Sequence, residues 1–360
     1  MRIARRRFGS VAYLVAGAVA LWAASATAAD FSGKRITMIV PFAEGGGGSV
    51  YTRFLAPLFE KHLPGNPTAI VQNIPGGGSI KGINEFARKA GNEGLMVANT
   101  GSGTIFAVIL DDPAVKYDFN DFVPLVTSPF GVMVYARPEA GAGPGEVEKL
   151  KGKALKTPAR SPTAGDMPML LSYELLGLDV KPIFGLSSGK GRLAYMRNEV
   201  QINGDNMASF AEHIQPLIKD GTAVPLFTLG YANEKGEIVR DPMAPDVPSF
   251  IEAYERIHGK KPSGPGFEAW KTVFNIRVMA AKMLLLPKAA KPDVLAAYQA
   301  AIQKVVNDPV FKGKEGAEIF GPYQQTLGKD AERVMKDAAT ISPEAKAWLK
   351  KWLKDRYDVS

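Results

Sequence analysis

The sequence predicts an α/β fold in two domains. Three observations predict it. Short apolar runs of strand length alternate with helical spacings over most of the chain. Gly- and Pro-rich turns bound those runs. Two longer extended stretches interrupt the alternation, and 360 residues suffice for two domains of ordinary size.

The elements follow in order. Residues 1–28 read as an export leader. Arg2, Arg5, Arg6 and Arg7 form a basic start, Val11 to Ala24 is an apolar run, and Ala26 and Ala28 stand at the small-residue cleavage positions. About 14 apolar residues fall short of the roughly 20 that span a bilayer, so cleavage near Ala28 is expected over a membrane anchor. The run Arg5-Arg6-Arg7-Phe8 also resembles a twin-arginine leader.

"RITMIVPF" (35–42) predicts a buried strand, and a helix follows from about Val50 to His62. "AIVQNI" (69–74) predicts a second strand, and Ile80, Ile83, Ala87 and Ala90 are spaced as one helix face. "LMVAN" (95–99) is a third strand, with a short helix after it. Units of this kind predict largely parallel sheets. The first extended stretch is "PLVTSPFGVMVYARP" (124–138), and a second α/β block follows it. The second stretch, "AVPLFTLGY" (223–231), leads into the Pro-rich "RDPMAPDVPSF". Pro292 opens a helix with Leu295, Tyr298, Ile302 and Val305 on one face, and Trp348 and Trp352 pack along the last helix. The predicted organisation is residues 29–130 with 232–360 as domain 1, interrupted by 131–231 as domain 2.

The formal charge is +8, of which four positive charges are the leader's arginines, leaving +4 on residues 29–360. No basic patch interleaved with aromatics occurs, so no nucleic-acid partner is expected. With no cysteine there are no disulfides, thiolate metal sites or Cys nucleophile.

Four turns share one chemistry. They are "AEGGGGSV", with Ser49 as the expected helix cap; "NIPGGGSI", with Ser79 in the same role; "NTGSGTI", with Thr100, Ser102 and Thr104; and "ARSPTAGDM", with Ser161, Thr163 and Asp166. Glycine admits close approach, Ser and Thr add hydroxyls, and a helix N-terminus adds positive partial charge. Together they suit an anion held in a common cleft beyond the strand ends. "PGGGS" (75–79) is the turn best explained by backbone conformation alone. "GLSSGKG" (185–191) lacks the spacing of a phosphate loop, and no G-x-G-x-x-G follows a strand.

Nothing assembles into a catalytic set. His62, His213 and His258 are scattered, and Tyr51 stands where a nucleophile elbow needs Gly. Asp111, Asp112, Asp241 and Asp246 read as solvated turns, and Lys190, Arg192 and Arg197 as a solvated helix face. No cofactor or metal is expected.

The run from Ile36 to Asn84 resembles the opening of the tripartite tricarboxylate transporter receptors, the Bug-type periplasmic solute-binding proteins. Pro41-Phe42, Gly45-Gly46, Ala56-Pro57, Asn73, Pro75-Gly76 and Gly78 carry the likeness. "YDFNDFVPL" (117–125), "NEVQINGDN" (198–206) and "DPMAPDVPSFIEAY" (241–254) extend it along the chain. The resemblance implies a two-domain, type II periplasmic-binding-protein fold that closes on a small organic carboxylate, held by backbone amides, hydroxyls and water. It implies delivery to the subunits of a membrane permease, a periplasmic location and no enzymatic activity; a monomer is expected.

Carried over by position, the ligand contacts would be Phe42, Ala43, Glu44, Gly45, Gly46, Gly47, Gly48 and Ser49; then Thr100, Gly101, Ser102, Gly103 and Thr104. In domain 2 they would be Ser161, Thr163 and Ala164, with Asn203, Gly204 and Asp205 facing them. Arg160, beside the domain 2 turn, could meet a carboxylate directly. Ser49 stands where the family commonly has Asp, and Ala43 where it has Pro, which suits a more anionic or differently shaped ligand. A ligand sensor feeding a signalling partner, or an enzyme acting on a carboxylate, are the alternative classes.

Overall fold

The computed structural model describes residues 29–186 and 188–359. The expected leader lies outside them. Among the described residues no helix is long and apolar enough to cross a membrane.

The first block runs β1 (Arg35–Val40), α1 (Gly47–His62), β2 (Thr68–Asn73), α2 (Ile80–Lys89), β3 (Met96–Gly101), α3 (Ser102–Ile109) and β4 (Phe122–Ser128). β1 pairs in parallel with β2 and β3, as strand–helix units require. Tyr51, Phe54, Leu55, Leu58 and Phe59 line one face of α1 and are buried.

The chain then crosses at Pro129-Phe130-Gly131 into β5 (Val132–Ala136), β6 (Leu155–Pro158), α4 (Met167–Leu175), β7 (Val180–Ile183), α5 (Ser188–Met196), β8 (Ile202–Asn206), α6 (Gln215–Lys219) and β9 (Val224–Thr228). A small hairpin, β10 (Tyr231–Ala232) and β11 (Ile238–Val239), precedes α7 (Phe250–His258) and α8 (Pro265–Phe274). α8 runs into a π-helical turn, Asn275–Met279. β12 (Lys282–Pro287), α9 (Pro292–Val305), α10 (Pro309–Lys312), α11 (Lys314–Phe320), β13 (Thr326–Leu327), α12 (Gly328–Ala339) and α13 (Pro343–Tyr357) complete the chain.

The sheets depart from the parallel expectation. The six-stranded sheet has the order β13-β4-β12-β3-β1-β2, with β12 antiparallel to both neighbours. The second sheet, β8-β5-β9, is antiparallel throughout, and only the β6–β7 pair beside it is parallel. Sequence reading does not single out β12, because it ends a largely apolar run from Ile276 to Pro287, broken only by Arg277 and Lys282, in which periodicity cannot separate helix from strand. Its Leu284, Leu285 and Leu286 are fully buried.

The chain returns to the first block later than the second extended stretch at 223–231. α7 and α8 pack on the second block: the Phe227 and Phe250 rings lie 6.4 Å apart, and Trp270 Nε1 donates to Ser172 Oγ at 2.7 Å. The chain returns through the π-helical turn, where Phe130 N donates to Val278 O at 2.9 Å and ties the two crossings together. α9 and α12 pack on the first sheet, but α13 packs on α8. Arg356 on α13 also pairs with Glu174 at 2.7 Å. One apolar cluster runs from α2 and α3 through α8 to α4 and α7. The gap that remains between the blocks lies at the C-terminal ends of β1 and β3, where the glycine turns are.

Candidate ligand-binding cleft

That gap is a cleft of about 1210 Å³. Its walls join the 41–48 turn, the 75–80 turn and Gly101 to Gly103 from the first block to Arg160, Ser161, Thr163, Ala164 and Gly165 from the second. The 75–79 turn, expected to be structural only, is therefore part of the wall.

α1 begins at Gly47 with Gly46 as its N-cap, no side-chain cap and no acid in its first turn. Ser49 sits one turn inside, buried, where its Oγ accepts from Arg53 Nε at 3.3 Å. The expected Ser49 cap is thus replaced by bare amides, because four glycines let the helix start earlier. Ser79 does precede α2, but in a left-handed conformation, and its Oγ bonds Thr104 Oγ1 at 2.9 Å instead of capping. α3 starts at Ser102 directly from β3, again with neither side-chain cap nor acid. Two uncapped N-termini thus present donors and positive partial charge to one space.

Two glycines make that approach possible. A Cβ on Gly48 would lie 2.7 Å from the Phe42 ring, and a Cβ on Gly101 would lie 3.0 Å from it. Without them Phe42 could not lie against the turns as part of the cleft wall.

The remaining expected contacts divide. Phe42, Ala43, Gly46, Gly47, Gly48, Gly101, Ser102, Gly103, Arg160, Ser161, Thr163 and Ala164 line the cleft. Glu44, Gly45, Ser49, Thr100, Thr104, Asn203, Gly204 and Asp205 do not. Glu44 pairs outward with Arg53 at 3.0 Å. Thr100 and Thr104 point into the core. Gly204 is where β8 meets α4, since a Cβ there would fall 2.0 Å from Met169 Sδ. Asp205 accepts from Tyr135 Oη at 2.9 Å and Arg192 Nη1 at 3.1 Å, and Asn203 Nδ2 donates to Tyr135 Oη at 2.6 Å. Asn206, next along the strand, lines the cleft in their place. Arg192 is therefore no solvated residue. Burial nevertheless pushes Asp205 up to about 6, against the pull of Arg192.

Arg160 is engaged by its own loop: Asp166 accepts from its backbone N at 2.8 Å and its Nε at 3.1 Å. Asp241, read as a solvated turn, is fully buried and accepts from the Tyr323 hydroxyl at 2.8 Å. Burial raises it to about 6, opposed by the Met243 N–H and Tyr323.

Of the cations in the cleft wall, Arg160, Lys350, Lys351 and Lys354 pair with Asp166, Asp111, Asp355 and Asp358, and sequence reading missed the other two, Arg277 on the π-helical turn and Lys282 at the start of β12. Both are half-buried, enclosed by protein except for a face toward the cleft. Among the described residues neither has a carboxylate within 4.0 Å, and Lys282 makes no hydrogen bond. Burial, then repulsion by Arg277, lowers Lys282 to about 8; burial, then repulsion by Arg160, lowers Arg277 to about 10. A signal was available: these are the only charged residues between Lys271 and Lys288. A lone cation in an apolar run is costly to bury unless something pairs with it.

None of the three histidines lines the cleft. His62 lies 2.6 Å from Asp308, His213 3.6 Å from Glu212, and His258 3.0 Å from Leu175 O. Among the described residues no three potential ligand side chains gather as a metal site.

Fold and cleft together define a two-domain solute-binding-protein architecture of the type II periplasmic kind. The structure is similar to a TctC solute-binding protein from Polaromonas, with a TM-score of 0.64 and 18% identity over 88% of this chain and 98% of that one. It is similar to MatC from Rhodopseudomonas palustris with bound malate, with a TM-score of 0.58 and 20% identity over 88% and 99% of the two chains. An R. palustris protein with adipate gives a TM-score of 0.59 and 15% identity over 91% and 98%. No family model matches the sequence, and no curated protein matches it significantly.

Proposed function

We propose that this protein is an exported, periplasmic receptor of the tripartite tricarboxylate transporter type. It captures a small organic carboxylate between its two domains and delivers it to a membrane permease. One observation carries the reading: two uncapped helix N-termini and two cations without a carboxylate partner face one cleft, while the acids of its wall are already engaged, Asp111 by Lys346 and Lys350 and Asp112 by the Ala114 N–H. Helix N-termini bind anions, and a cleft whose wall carries more cations than carboxylates attracts negative charge. The similar folds described with malate and adipate support the same ligand class. The protein is read as a binder and not a catalyst, because no histidine lines the cleft and, among the described residues, Lys282 beside the Gly47 turn has no hydrogen-bonded nucleophile or orienting partner.

Closure would couple to binding because groups from both domains meet the ligand only when the cleft is shut. The test is thermal denaturation of residues 29–360 against aliphatic and aromatic carboxylates, with amino acids as controls. A ligand at about 100 times its Kd adds about 2.7 kcal/mol, a readily visible shift. No shift with any carboxylate, in protein shown by mass spectrometry to be free of co-purified ligand, would reject the reading.

A further inference from the structure

Arg277 and Lys282 are more than a general positive field. Lys282 Nζ lies 4.0 Å from the Phe130 ring centroid and 5.2 Å from that of Tyr51. It lies 3.7 Å from the position a Cβ on Gly47 would take, at the first residue of α1. An ammonium is thus held against a helix N-terminus, two positive groups side by side, with its three donors unused. Arg277 commits only Nε, which donates to Gly165 O across the cleft at 3.1 Å. Its two terminal amino groups make no hydrogen bond among the described residues. The two cations also repel each other, so a single negative charge would leave one of them uncompensated.

We infer that Arg277 and Lys282 form a charge-reading subsite on the crossing between the domains, each pairing directly with one carboxylate of a dicarboxylate ligand. This rests on the receptor reading above and deepens it. Direct ion pairing departs from the amide-and-water recognition that the sequence resemblance implies. It also explains the siting: Arg277 occupies a π-helical turn, and such turns are frequent at functional sites. The adjacent Val278 O accepts from Phe130 N of the other crossing, so a ligand held here touches both strands of the hinge.

The experiment uses residues 29–360 as wild type, Arg277→Gln, Lys282→Met and the double variant. Calorimetry measures binding of dicarboxylates from malonate to adipate and the three benzenedicarboxylates, each against its monoamide. Wild type is expected to prefer at least one dicarboxylate over its monoamide by about 100-fold. Each single variant should lose about 30-fold or more, and the double variant should no longer discriminate. Melting of the ligand-free proteins is the second readout. Lys282→Met keeps the apolar stem and removes an unpaired buried charge, so it should melt higher while binding worse. Equal wild-type affinity for acid and monoamide, or unchanged affinity in the variants, overturns the subsite while leaving the receptor reading intact. Lower melting of Lys282→Met with unchanged binding assigns the lysine a structural role and also overturns it. No carboxylate binding by wild type removes the receptor reading and the subsite with it.

Discussion

Lys282 loses protons near pH 8 in the empty cleft, while in an unfolded chain it does so near 10.5. Between those values the unfolded state binds more protons, so this group's contribution to stability rises with pH through that window. A bound carboxylate reverses the preference, because it favours the ammonium. Affinity for a carboxylate is therefore expected to be level below pH 8 and to fall above it, and a calorimetric pH series should lose that decline in Lys282→Met. The groups facing the ammonium are Arg277, which keeps its charge through the lower part of this range and is lowered to about 10, and Tyr51, whose hydroxyl burial holds neutral. Asp205 and Asp241 act with the opposite sign. Both titrate near 6 when folded and near 3.8 when unfolded, so the stability they confer is present below pH 4 and is lost as pH rises through 6. Carboxylates held low, such as Asp308 under hydrogen bonds from Lys61, the Val310 N–H and His62, matter only below that window. The ligand-free protein should accordingly melt higher at pH 5.5 than at 7.5, and Asp241→Asn should shrink the difference.

Among the elements, α1 and α2 show how composition shapes a helix start. Ser49 and Ser79 carry the residue type of a cap, yet α1 starts earlier at Gly47, Ser79 precedes α2 in a left-handed conformation, and neighbouring side chains claim each Oγ. Where no glycines intervene the local rule holds: Ser249 and Glu252 form a reciprocal capping box on α7, and Ser342 caps α13. The close packing of the turns is testable. A Cβ on Gly103 would lie 2.7 Å from the backbone Gly78 O, which cannot swing away as a side chain could. Gly103→Ala should cost about 1–3 kcal/mol in denaturant unfolding. Gly91→Ala, whose Cβ would meet nothing within 4 Å, should stay within about 0.5 kcal/mol of wild type.

Across the whole molecule, α13 joins the two blocks. Lys346 and Lys350 meet Asp111 at 2.6 and 2.8 Å on one side, and Arg356 meets Glu174 at 2.7 Å on the other. Such half-exposed pairs contribute little each, so the attachment rests on buried Leu349, Trp352 and Leu353, at about 1.5–3 kcal/mol per side chain. A chain ending at residue 340 should melt well below the full chain, and the double replacement of Lys346 and Lys350 by Gln should change melting by little. In the full chain, a saturating carboxylate should reduce the radius of gyration measured by solution scattering, as expected of a cleft that closes on its ligand.

The sequence by itself determined the alternation of β1, α1, β2, α2 and β3, the apolar faces of α2 and α9, and the gathering of glycine turns at the strand ends. These follow from local periodicity and backbone preference, which act within a few residues. Tertiary structure alone decided that β12 lies antiparallel inside the first sheet, that α7, α8 and α13 pack on the second block, that Arg192 pairs with Asp205, and that Asp241 is buried. It also decided which glycine-turn residues reach the cleft, sending Thr100 and Thr104 to the core and bringing Asn206 forward. Arg277 and Lys282 lie more than 100 residues from the glycine turns and from the 160–165 turn that they meet in the cleft, so only the folded crossing could place them there. Charge pairing is a matter of distance in space, and periodicity along the chain carries no record of it.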